Sequence, residues 1–357
     1  MDKVNVLVVS RLDLRPGFLE KIAAVDPRIS AKDGMGQLVA ELRGKGKKGP
    51  LVDLLDNELK KVPVQQSSGT QEDFDAMLAQ ADVIFGIVLF PENLLQRAPK
   101  LRWVHIGGTG IDLYLSIGIF DGGITVTNSR GSLAIPIAEH VLAFMLMLAR
   151  DAQRLLDNKR NRLWDTFLTQ ELRDRTVGII GLGAIGSEVA RLTRGLGMRV
   201  LATRLSATRR ESGISGLDEL YPPSELHQML AESDYVIVAV PLTEETRNMI
   251  SEAELSTMKS TACLINIARG KIVDQFALIK ALKEGWIAGA GLDVFDYEPL
   301  PTDSELWELP NVYLSSHAAG ATDRRSERIL GLFCDNLRRY LAGEQMLNVI
   351  DLEKKRY

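Results

Sequence analysis

A chain of 357 residues is longer than one hydrophobic core usually supports, so two domains are expected. With 45% hydrophobic and 25% charged residues and a formal net charge of −4, the composition is that of a globular protein and gives no electrostatic case for nucleic-acid binding. The longest apolar stretch, Val141 to Ala149, is too short for a membrane span, and Cys263 and Cys334 make no metal or redox motif, so a cytoplasmic protein with buried thiols is expected.

Short β-branched runs alternate with helical patterns, the signature of α/β architecture with parallel sheets. Strands are predicted at 4–9, 82–88, 102–106 and 124–127, with helices at 71–79 and 91–97 between them. Residues 26–61 are rich in glycine, lysine and proline, and read as an insertion or elaborated loop. A long helix is predicted over 136–159, opening on Pro136, where a missing N–H costs nothing. It is apolar on nearly every side around Met145, which calls for burial on several faces; packing between domains or against another subunit, as in a homodimer, would supply it.

A second series of strands follows at 176–180, 199–203, 235–239, 263–267, 288–292 and 312–315, as in a doubly wound nucleotide-binding domain. The amphipathic segment 323–342 ends the series and is expected to pack back on the first domain. The division is then 1–128 with 325–357 for one domain and 129–324 for the other.

The strongest local signal is the strand that runs into Gly181-Leu-Gly-Ala-Ile-Gly186 before a helical pattern. Gly181 permits the tight turn, Gly183 lets backbone approach a pyrophosphate, and Gly186 lets the helix lie close on the strand. The helix N-terminus offers free N–H groups to the phosphates, so a nicotinamide dinucleotide is the expected ligand. The next strand ends at Thr203 with Arg204, followed by Arg209 and Arg210, where an acid would repel a 2′-phosphate. NADPH is therefore expected in preference to NADH, the alternative being a surface arginine and use of both cofactors.

Three further segments each fall at the carboxyl edge of a predicted strand: 264–270 with Arg269, 291–299 with Glu298, and 313–320 with His317. Ligands bind at that edge in open α/β sheets. Arginine clamps a carboxylate, histidine exchanges a proton near neutral pH, and glutamate orients the histidine and favours its charged form. The other histidines read differently: His140 as a satisfied packing residue, His105 as core or edge with some chance of reaching substrate, and His227 as surface. Asp296 reads as a turn residue that is capped or solvated.

These motifs, with Gly108-Thr-Gly-Ile-Asp112, Ala138-Glu-His140 and Pro241-Leu-Thr-Glu-Glu-Thr246 in the same order, resemble the D-isomer-specific 2-hydroxyacid dehydrogenase family, including glyoxylate/hydroxypyruvate reductases. The resemblance covers nearly the whole chain and is weakest before about residue 80. It implies a Rossmann-type dinucleotide-binding domain, a flavodoxin-like substrate domain and a cleft between them. It implies that Arg269 holds the substrate carboxylate, that Glu298 and His317 are the acid/base pair, and that Asp293 faces the nicotinamide end of the cofactor. The cofactor is further implied to meet Leu182, Ala184, Ile185, Val240, Pro241, Thr246, Ile267, Ala268, Ala319 and Gly320, and the substrate to meet Leu89, Gly108, Thr109 and Gly110, with no metal. Ser316 departs from the pattern, standing where the family commonly has proline, and Arg130 is either a substrate contact or surface. The activity implied is NAD(P)-dependent interconversion of a small 2-oxo acid and its D-2-hydroxy acid. A cofactor-sensing, corepressor-like interaction protein of the same fold is the rival.

Overall fold

The computed structural model describes residues 3–10, 17–44, 70–87 and 89–352. Two compact units divide the chain: Met1–Ser132 with Asp323–Tyr357, and Leu133–Thr322.

The first unit carries strands β1 (Val4–Val9), β2 (Ile29–Asp33), β3 (Val83–Gly86), β4 (Trp103–Ile106) and β5 (Thr125–Asn128), all parallel, in the order β2-β1-β3-β4-β5. That is the order of a flavodoxin-like sheet. Val6 to Val9 are buried without a break, as expected of a strand covered on both faces. Leu7, Val9 and Ile84 pack on one face with Phe74 and Leu78 of the helix Gln71–Gln80. On the other face Phe333, from the helix Arg325–Ala342, stacks on Phe85 at 4.6 Å and on Trp103 at 5.3 Å between ring centroids.

Part of the stretch that reads as an insertion is regular. Residues 29–33 form β2, and Met35–Gly44 form a helix. β2 is an edge strand of sequence Ile-Ser-Ala-Lys-Asp, half-exposed, so it lacks the apolar run that marks the inner strands. Residues 45–61 of that stretch lie outside the described residues.

The second unit is built on an eight-stranded sheet, from β6 (Thr176–Ile180) and β7 (Arg199–Thr203) through β8 (Glu211–Ser212), β9 (Glu219–Tyr221), β10 (Tyr235–Val238), β11 (Cys263–Asn266), β12 (Gly289–Leu292) and β13 (Val312–Leu314). The order is β13-β12-β11-β10-β6-β7-β9-β8. All neighbours are parallel except β8 and β9, and β8, the exposed two-residue edge strand Glu-Ser, carries no apolar signal. The chain leaves β6 towards β7 on one side and returns to β10 on the other, so the switch point lies at the carboxyl end of β6.

The long apolar helix proves to be two. Ala134–Ala149 ends at Arg150, and Asp151, in the left-handed region at φ 49°, caps the next helix, Ala152–Asn161, by accepting from Arg154 N. Val141, Phe144, Met145 and Ala149 are buried against Val177, Ile179 and Ile265 of their own chain. Only part of the burial this helix calls for is met inside the second unit, because Ile135, Ala143 and Leu146 on its other side are exposed. Both cysteines are free and buried. No helix among the described residues is long and apolar enough to cross a membrane.

Candidate active site

The glycine turn joins β6 to the helix Ala184–Gly195. Gly181 has φ +99°, which favours glycine, and a Cβ there would lie 2.8 Å from the Ala239 carbonyl oxygen. A Cβ on Gly186 would sit 2.1 Å from the Gly181 carbonyl oxygen, so helix and turn touch backbone to backbone. Gly183 caps the helix without any side-chain hydrogen bond, and a Cβ there would meet nothing within 4 Å. An uncapped helix N-terminus with open space before it suits a pyrophosphate. The residues present thus fit a dinucleotide.

Gly181 N and Leu182 N both donate to Thr203 O, which brings the end of β7 against the turn. Arg204 is exposed there, with Nη2 3.5 Å from Leu182 O. Arg209 is also exposed. Arg210 is not available beside them. Its guanidinium bonds Tyr221, Glu219 and Glu232 and lies over the Tyr221 ring, 4.3 Å from the centroid.

Across the switch point, Val240 and Pro241 follow β10, and the Thr246 hydroxyl donates to Pro241 O at 2.7 Å and accepts from Thr243 N. Thr246 therefore fastens the 241–246 turn. Ile267 and Ala268 follow β11, where the Asn266 side chain accepts from Ala268 N and donates to Arg269 O. Arg269 is held in extended backbone, and its Nη1 donates to Ala268 O at 2.8 Å. A Cβ on Gly270 would lie 2.0 Å from the Phe295 carbonyl carbon, so only glycine allows the Arg269 and Glu298 segments to approach this closely. Asn266 is a site residue that composition does not reveal; its signal is an amide at a strand's last position, where the backbone leaves the ladder.

His317 Nδ1 lies 2.7 Å from Glu298 Oε2, and Glu298 Oε1 accepts from Phe295 N at 3.0 Å. Burial by itself pushes the Glu298 carboxyl up, but the His317 contact, the Phe295 N–H and the nearby Arg269 guanidinium together hold it below the ordinary range. A carboxylate on Nδ1 leaves Nε2 as the nitrogen that exchanges a proton with a ligand. Asp293, buried at the end of β12, accepts from Ala318 N, Ala319 N and the Ser315 hydroxyl. Next to this cluster, Asp296 is not the solvated turn residue its sequence suggests. Its Oδ1 is buried without a hydrogen-bond partner, and burial raises its carboxyl against the pull of Lys271.

A family model described as "D-isomer specific 2-hydroxyacid dehydrogenase, NAD binding domain" matches residues 142–319. The chain is 42% identical over 267 residues to a glyoxylate reductase of Korarchaeum cryptofilum, spanning 73% of this chain and 79% of that one. The chain belongs to the D-isomer-specific 2-hydroxyacid dehydrogenase family. A glyoxylate reductase of Pyrococcus furiosus is likewise 42% identical, over 71% of the present dehydrogenase and 76% of its own length. Among solved structures, a D-isomer-specific 2-hydroxyacid dehydrogenase from Xanthobacter autotrophicus Py2, in complex with NADPH and MES, superposes with a TM-score of 0.75 at 26% identity, covering 99% of each chain. The present chain is thus an NAD(P)-dependent 2-hydroxyacid dehydrogenase, and the interaction-protein reading is not favoured.

In the first unit of the dehydrogenase, the Gly108–Gly110 loop is pinned by its carbonyls: Ser129 N donates to Gly108 O and Asn128 Nδ2 to Thr109 O. Leu89 is buried in the core with Ile84 and Leu94, so its side chain packs and does not face outward. His105, at the end of β4, is wholly buried between the Thr127 and Ser129 hydroxyls at 2.8 and 3.0 Å. Burial pushes it down to about 3, so it stays neutral and braces the loop from beneath. Arg130 is exposed, and His227 pairs with Glu254 at the surface of the second unit.

Proposed function

We propose that this dehydrogenase reduces a small 2-oxo acid of the glyoxylate or hydroxypyruvate type to the D-2-hydroxy acid, with NADPH preferred. The observation that carries the reading is the 2.7 Å His317–Glu298 pair, held beside Arg269 at the strand edge that also bears the uncapped glycine turn. The bound nicotinamide supplies the hydride that C2 receives. Arg269 binds the substrate carboxylate and so orients C2; Gly108, Thr109 and Gly110 are proposed separately as substrate-binding residues of the first unit. His317 Nε2 gives its proton to the forming alkoxide, while Glu298 on Nδ1 fixes the orientation of the ring. In the reverse direction His317 takes the hydroxyl proton. The relatives named glyoxylate reductase support the substrate class, and exposed Arg204 beside the glycine turn supports NADPH.

The other dinucleotide contacts proposed are Leu182, Ala184 and Ile185 for the phosphates, and Val240, Ile267, Ala268, Asp293, Ala319 and Gly320 along the strand ends. A homodimer is also proposed, through the apolar helix, where Ile135 and Leu146 are exposed, and the segment that follows it. Leu155, Leu156, Leu163, Trp164 and Leu168 are exposed together after the apolar helix, Trp164 and Leu168 completely, and such a run calls for cover.

His317→Ala tests the catalytic reading. The kcat on glyoxylate should fall by about 10²-fold or more while NADPH still binds; near-normal turnover would overturn the assignment.

A further inference from the structure

His140 reads in the sequence as a packing residue, yet its ring is wired into the turn that carries His317. It projects from the helix Ala134–Ala149 with Nε2 2.9 Å from Ser315 Oγ, its ring edge-on to Phe144 at 4.6 Å. The Ser315 hydroxyl donates to Asp293 Oδ1 at 2.6 Å. A hydroxyl has one proton, so with that proton on Asp293 the contact from His140 has to be a donated N–H. Asp293 Oδ1 also accepts from Ala318 N at 2.7 Å, Oδ2 from Ala319 N at 3.0 Å, and the Asp293 carbonyl from His317 N at 2.8 Å.

These bonds fall on a strained turn. His317 has φ +52°, a left-handed conformation uncommon for a residue with a side chain. Ser316 precedes it, without the ring that would fix φ at that position. The turn is therefore held by the Asp293 carboxylate and carbonyl. The carboxylate in turn is fixed in rotation by Ser315 and, behind it, by His140.

We infer that His140 is a positioning residue for hydride transfer, acting through Ser315 and Asp293 on the left-handed turn that aims His317 at Glu298 and the substrate. The inference rests on the reading of His317 as the acid/base. Losing the donor frees the Ser315 hydroxyl and then the carboxylate, and the turn samples conformations in which His317 is misaimed. The glycine turn at 181–186 and Arg269, which lie outside this relay, are unchanged.

The test uses the full chain with His140→Phe, His140→Gln, Ser315→Ala, the double variant H140F/S315A, and H317A. In H140F the single-turnover rate of hydride transfer from bound NADPH to glyoxylate, measured with NADPH saturating, should fall roughly 10-fold, as for one lost hydrogen bond in the aligned state, with glyoxylate KM within about twofold. H140Q retains an N–H donor and should recover to within about threefold of the parent, and H140F/S315A should be no slower than S315A alone, because both act on one relay. Without any cofactor, amide exchange at residues 317–319 should be faster in H140F and S315A, by about the same 10-fold. S315A removes one oxygen and carries the test if H140F does not fold. A parental rate in H140F or S315A, multiplying effects in the double variant, or H140Q no better than H140F would each overturn the inference. Retained activity in H317A would overturn the acid/base reading itself; an inactive H317A with a normal H140F overturns only the relay.

Discussion

His105 makes acid sensitivity a property of the loop that is proposed to bind substrate. Its ring is 0% exposed and its proton affinity is depressed from 6.5 to about 3 by burial. The folded protein therefore refuses a proton that the unfolded chain accepts below pH 6.5. The stability tied to this histidine is complete above pH 6.5 and is lost progressively as pH falls towards 3. Linkage puts the loss at about 2 kcal/mol at pH 5 and about 3 kcal/mol at pH 4, a large fraction of a typical domain's stability. The neutral ring makes one donated and one accepted hydrogen bond with the Thr127 and Ser129 hydroxyls, so both nitrogens are satisfied without a charge. Protonation adds a buried charge that two hydroxyls do not compensate. Urea unfolding at pH 7, 6, 5 and 4.5, followed by the fluorescence of buried Trp103, gives the stability of the parent and of His105→Gln. Other carboxylates titrate in both proteins, so the informative quantity is the difference. The parent should lose about 2 kcal/mol relative to the variant between pH 7 and pH 5. Equal pH slopes would refute the reasoning.

Arg204→Asp should lower kcat/KM for NADPH by about 10-fold or more and raise the NADH-to-NADPH ratio, since a carboxylate repels a 2′-phosphate; an unchanged ratio in steady-state assays counts against Arg204. Arg210→Ala, by contrast, should leave that ratio within about twofold, because its guanidinium is engaged with Tyr221, Glu219 and Glu232. Gly186→Ala places a methyl 2.1 Å from Gly181 O and should cost about 1–3 kcal/mol of stability with a marked loss of NADPH affinity, read by thermal melting and by fluorescence titration. Trp164→Glu with Leu168→Glu should convert a dimer to a monomer in sedimentation equilibrium, and a parent that sediments as a monomer would remove the dimer proposal.

The sequence by itself determined the elements whose residues carry their own physical reason. β6 and β7 are legible to the residue, because inner parallel strands are continuous apolar runs and the glycines between them mark a turn that admits no side chain. Arg269, Glu298 and His317 are legible as a set, because each follows such a run and so must emerge at the same sheet edge. Tertiary structure decided what depends on partners distant in the chain. β2 is a strand through its pairing with β1, its own residues being mixed and half-exposed. The break at Asp151 turns on one left-handed residue inside a continuous helical pattern. Arg210 lies six residues after Arg204, yet Tyr221 and Glu232 claim it, which only the fold brings near. His140 has the spacing of a core residue, and what it does is set by a hydroxyl 175 residues away. Local pattern fixes where the backbone goes; hydrogen bonds between distant side chains decide which charged and polar groups remain for ligands.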